Sequence, residues 1–205
     1  MVVDRNIDRK LEKELRDLEK RAERARVPGA DAPFYNAAGD LCIQAGHTDL
    51  ALEYYGHAVD AYLNAERWES AAAMCRKILR TSPNAVRARC TLAWLAIGKG
   101  FDADATAQVV DYVNAAWKAG CEEMAASQLR RMGEMSMSSR LRQAVAEQLL
   151  AIGADRAADH LFGTVYRDRQ AAPERADDAI WSQIRRAALL GPQELANTDS
   201  RALRN

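Results

Sequence analysis

Several things are scarce in this 205-residue sequence, and each scarcity excludes a class of protein. No excess of one charge exists: Lys+Arg and Asp+Glu both number 29, with a pI near 6.8. The surplus of positive charge typical of a nucleic-acid binder is therefore missing, and no nucleic-acid partner is expected. No uncharged apolar run approaches the length of a membrane span, and the opening Met1-Val2-Val3-Asp4-Arg5 lacks the apolar core of a signal peptide. A cytoplasmic protein without a membrane span is the expectation. The four cysteines include no Cys-x-x-Cys pair, which suits free thiols. Runs of alternating β-branched residues are also missing, which speaks against a sheet.

Site chemistry is equally sparse. His47, His57 and His160 form no i,i+4 pair and no Glu-x-x-His pattern, so neither a metal nor any other cofactor is expected. Gly98-Lys99-Gly100 follows no strand and precedes no Ser or Thr, and reads as a turn. Cys42, Cys75 and Cys90 fall on helical positions that suit small buried residues. Cys121 lies near a helix start, where a dipole lowers a thiol pKa, but Glu122 and Glu123 oppose that shift. Nothing assembles a converging titratable set, and an enzyme is not expected.

What the sequence does contain is helix. Alanine makes up about a fifth of it and is the strongest intrinsic helix former. The prolines at 28, 33, 83, 173 and 192 sit at expected helix boundaries, with none between Asn84 and Ala172. The segment 1–27 carries one apolar stripe, Leu11, Leu15, Leu18, Ala22 and Ala25, at coiled-coil-like steps on an otherwise charged helix. Glu12 with Arg16 and Asp17 with Arg21 are supporting i,i+4 pairs. So narrow a stripe calls for a partner: the rest of the chain, another protein, or a second copy meeting Leu11, Leu15 and Leu18. Residues 28–33 form a linker, 34–191 a helical domain, and 192–205 a loose tail.

The helical domain repeats itself. Gly46, Gly100 and Gly153 each end an apolar helical pattern, at separations of 54 and 53 residues. In register with them stand Ala51, Ala105 and Ala158, then Tyr55, Val109 and Phe162. Upstream, Ala38-Gly39, Leu92-Ala93 and Val145-Ala146 match, followed by Cys42, Ala96 and Leu149. Three units of three helices result, over 33–83, 84–137 and 138–191. Each exposes an apolar face unless a neighbour covers it. The class is all-α: an α-α superhelix of about nine helices plus the N-terminal one.

These columns resemble the tetratricopeptide repeat, whose motif runs W-x2-L-G-x2-Y, A-x3-F and P. Tyr35, Ala38, Gly39 and Cys42 match its first half, and Ala51, Tyr55 and Ala58 its second. Ala71, Cys75 and Ile78 repeat the second half and end at Pro83. Val145, Ala146, Leu149, Ala158 and Phe162 match again, while Leu92, Ala93, Ala96, Ala105 and Val109 form a more eroded copy. Ala51 and Ala71 lie only 20 residues apart, so one helix serves two half-repeats. The resemblance implies a TPR-like solenoid and a non-enzymatic scaffold that binds a protein or peptide segment on a concave face. Matched positions along the first helices give Asn36, Asp40, Arg87, Trp94, Arg140, Gln143 and Glu147 as its lining. Asn36 and Asp40 replace the lysine and asparagine of the family's carboxylate clamp, so an internal or helical segment is the implied ligand. His57, on the same helix as Asp60, is a further groove candidate. Trp94 is either a binding anchor or a core residue, whereas Trp68, Trp117 and Trp181 read as packing residues. The alternative function is a structural subunit buried permanently in a larger assembly.

Overall fold

Helices recur in threes. The structure, a computed structural model, describes residues 5–171. Among the described residues there are nine α-helices and no strand. An N-terminal helix, α1 (Arg5–Arg24), is followed by α2 (Ala32–Gln44), α3 (Thr48–Asn64) and α4 (Trp68–Thr81). Then come α5 (Val86–Lys99), α6 (Asp102–Lys118) and α7 (Glu122–Met135), and finally α8 (Ser139–Ala151) and α9 (Asp155–Ala171). From α2 onward the lengths run 13, 17, 14, then 14, 17, 14, then 13 and 17 residues. The helix expected around Trp181 and the tail lie outside the described residues.

The same backbone device closes the first helix of each triplet. Gly46, Gly100 and Gly153 take φ of +82°, +73° and +76°, the left-handed conformation that terminates a helix. After Gly46, the His47 N–H reaches back to the Cys42 carbonyl at 2.8 Å; after Gly153, Ala154 does so to Leu149 at 2.9 Å. A second such turn follows the middle helix, where Arg67 bonds to Tyr62 and Cys121 to Ala116, both at 2.9 Å. Here Gly120 occupies the left-handed position in one copy, and Glu66 in the other.

Packing follows the sequence columns. Ala51, Ala105 and Ala158 are fully buried, as are Val109 and, nearly so, Tyr55 and Phe162. The short connections make antiparallel neighbours. In the first unit α2 packs on α3 and α3 on α4. Gly39 on α2 lies directly against the Tyr55 ring of α3, so close that a methyl group there would overlap it. The chain divides into two compact units between Leu92 and Ala93, within α5. In the second unit α7 packs on α6, α8 and α9, and Gly133 on α7 gives the same close seat to Leu161 of α9.

The N-terminal helix packs within its own chain, on α2. Leu15 and Ala22 are buried there, Leu11 and Leu18 half-buried, and the Tyr54 hydroxyl donates to Glu19 at 2.6 Å. Burial, and then that carboxylate, push the Tyr54 phenol above its ordinary pKa. Leu15 is thus covered in cis, while Leu11 and Leu18 keep part of their surface exposed. Glu12 and Arg16 meet at 3.7 Å, as the spacing indicates.

Two tryptophan expectations are corrected. Trp68 is 48% exposed and Trp117 59% exposed. Each stands at a helix end, Trp68 opening α4 and Trp117 closing α6, rather than in a packed middle turn. Cys42 and Cys75 are buried as expected, whereas Cys90 is half-buried. Among the described residues, no helix is long and apolar enough to cross a membrane.

Candidate functional site

In the first unit Asn36 and Asp40 sit one turn apart on α2 and are joined by a residue that the motif register had not singled out. Lys77 of α4 donates to Asn36 Oδ1 at 2.6 Å and to Asp40 Oδ1 at 2.5 Å. The Tyr55 hydroxyl donates to the same Asp40 oxygen at 2.6 Å, and the Lys77 ammonium lies 4.6 Å from the Tyr55 ring centroid. Burial pushes the Asp40 carboxyl up, but the bonds from Lys77 and Tyr55 and the Lys77 charge outweigh it and hold its pKa below the ordinary carboxylate value. Burial and the Asp40 bond together raise the Tyr55 phenol. Asp40 is thus a structural acceptor tying α2 to α3 and α4, half-exposed but already paired.

His57 and Arg87 lie elsewhere, at the edge of a hollow of about 500 Å³ between α3, α4 and the start of α5. Its interior is lined by Leu52, Val59, Cys75, Ile78, Val86 and Ala88. His57 leans on Tyr35, ring centroids 5.4 Å apart and tilted by 40°. Arg87 forms an ion pair with Asp60. Both partners face solvent, so that pair contributes little to stability. Burial pushes the Cys75 thiol up to about 11, which keeps it protonated and unreactive at neutral pH.

Trp94 lies in the second unit. Its indole N–H donates to Gln128 Oε1 of α7 at 3.0 Å, and the Arg131 guanidinium stands 6.0 Å from the ring centroid, at the outer limit of a cation–π contact. The indole is half-buried, intermediate between the two readings its position allowed. Arg140, Gln143 and Glu147 lie on α8. Arg140 and Glu147 are exposed, and Gln143 donates to Glu147 at 2.9 Å. The two cations form a column of their own: Lys77 on α4 and Arg131 on α7 stand 54 residues apart, as do Asp40 and Trp94, the residues they cover. Comparing polar as well as apolar columns would have found both.

The remaining candidates are dispersed. His47 precedes α3 at its cap position, His160 is exposed on α9, and Cys121 precedes α7 with its thiol toward the Ala119 carbonyl at 3.5 Å. Among the described residues, no group of three His, Cys, Asp or Glu side chains is placed to hold a metal ion.

The triplets and their recurring caps place this chain among all-α helical-repeat proteins. No family model matches it, and no curated protein does. Among solved structures it is similar to a thermophilic TPR protein from Thermus thermophilus, at 14% identity over 75% of this chain and 98% of that one, with a TM-score of 0.27. A superposition that loose transfers no residue role, and the repeat architecture rests on the helices themselves.

Proposed function

We propose that the chain is a non-enzymatic protein-interaction scaffold that holds a segment of a partner protein against its helix faces. The observation that supports this best is the Trp94 cluster. An indole kept in place by Gln128 and flanked by a guanidinium presents a flat apolar surface and a positive charge at fixed positions. Trp and Arg are the side chains that most often dominate binding energy at interfaces. Arg140, Gln143 and Glu147 on α8 would supply polar contacts, and His57 and Arg87 would do so in the first unit. Asn36 and Asp40 enter this reading through the geometry that Lys77 imposes on them.

Proteins captured by the full chain from native lysate, quantified for wild type and Trp94→Ala, test the reading. Loss of a central aromatic anchor costs about 2 kcal/mol or more, so partner recovery is expected to fall at least about tenfold while the circular dichroism stays helical. Undiminished recovery by Trp94→Ala would overturn it.

The reading as a permanently buried subunit has one observation in its favour. In the second unit Phe101, Met135 and Met137 are 65%, 66% and 94% exposed, as surfaces covered in an assembly are. A partner that co-purifies in fixed stoichiometry, and without which the chain aggregates, would favour that reading.

A further inference from the structure

We infer that the hollow of the first unit is a docking site for one apolar side chain of a partner segment that carries a lysine or arginine beside it. This rests on the scaffold reading above and names the chemistry of the segment at a site distinct from Trp94. The chain contains its own control. Helices α3, α4 and α5 recur as α6, α7 and α8, at offsets of 54, 54 and 53 residues. At the positions that surround the hollow, Gly56, Cys75 and Ala88 correspond to Val110, Leu129 and Leu141. Leu129 and Leu141 are buried. The second copy thus places three branched side chains, two of them buried, where the first has three small residues around its hollow. Protein interiors are close-packed, and three small residues at adjoining positions leave room there for a side chain from outside.

The occupant follows from the lining. Leu52, Val59, Cys75, Ile78 and Ala88 offer no charge and suit an aliphatic or aromatic side chain, for which about 500 Å³ is ample. Charge on the rim sets the neighbour. Glu53, His57 and Asp60 fall on successive turns of one face of α3. Asp60 is neutralised by Arg87, whereas Glu53, on the hollow's edge, makes no ion pair or hydrogen bond among the described residues. The rim therefore carries uncompensated negative charge, and a basic residue next to the apolar anchor complements it.

The test uses a random peptide library displayed on phage and selected on the full wild-type chain. The counter-target is the variant that copies the second unit, Gly56→Val, Cys75→Leu, Ala88→Leu. A Cβ on Gly56 meets only Arg87 Nη1, at 3.8 Å, so the filled variant has room to fold, and Gly56→Val alone serves if the triple variant does not. Selected peptides are expected to share a Leu, Ile, Met or Phe flanked by Lys or Arg. They should bind the filled variant at least about tenfold more weakly, and Glu53→Gln about threefold more weakly with a shallower salt dependence. Equal binding to the filled variant, an acidic or basic-free consensus, or no enriched peptide would overturn the inference. Lysate partners lost in Trp94→Ala but kept in the filled variant would sink the hollow and leave the scaffold reading standing; partners kept in both would sink the scaffold reading as well.

Discussion

Tyr55→Ala should destabilise the protein by about 3–5 kcal/mol, the range for deleting a large aromatic from a packed core. Three losses coincide at this residue. The ring is nearly fully buried in the seat that Gly39 provides, its hydroxyl ties α3 to Asp40, and Lys77 of α4 lies over its face. Tyr55→Phe separates these effects, because it keeps the ring and removes the hydroxyl, and should cost about 1 kcal/mol. Gly39→Ala pushes a methyl group into the same ring and should cost about 1–3 kcal/mol by overpacking. Placed on the Tyr55→Ala background, Gly39→Ala should cost almost nothing, since the ring it collides with is gone. Urea unfolding of the four proteins measures that coupling. Strictly additive costs would show that Gly39 and Tyr55 do not share one contact.

Leu129→Ala should cost about 2–5 kcal/mol, whereas Cys75→Ala, at the matching position one repeat earlier, should cost about 1 kcal/mol. Both side chains are fully buried. The difference lies in the number of atoms removed and in their surroundings. Leu129 is fully buried on α7, so truncation removes three carbons and leaves a cavity. Cys75 adjoins a hollow that is already open, and loses a single sulfur against it. A cost for Cys75→Ala as large as that for Leu129→Ala would show that Cys75 is tightly packed and that the hollow does not loosen its surroundings.

Much of the fold was legible in the chain because steric demands repeat with it. A helix pair that approaches closely needs Gly or Ala at one point and a bulky side chain beside it, and Ala51, Ala105 and Ala158 satisfy that demand at intervals of 54 and 53 residues. The capping glycines were legible for the same reason, since a left-handed residue is needed wherever the first helix of a triplet must stop. The expectations for Trp68 and Trp117 failed at helix ends, where apolar neighbours at helical spacing do not guarantee that another helix reaches that far. Lys77 was not foreseen because a long cationic side chain chooses its partners in space, across 41 and 37 residues of sequence to Asn36 and Asp40. The hollow is written in the sequence only as a difference between two copies, Gly56 against Val110 and Ala88 against Leu141, and becomes visible once the helices align those positions. The docking of α1 on α2 was one of three outcomes its stripe allowed, and a single sequence does not rank them.

The central claim is that one helical triplet recurs along this chain, each first helix stopped by a left-handed glycine. Backbone chemical shifts and φ-dependent couplings of the isotope-labelled full chain measure this residue by residue. Helical shifts over each of the eight helices between 32 and 171, with positive φ at Gly46, Gly100 and Gly153 where the first helix of each triplet stops, are the expected result. Extended shifts within any of those helices, or helix running uninterrupted through any of the three glycines, would contradict it.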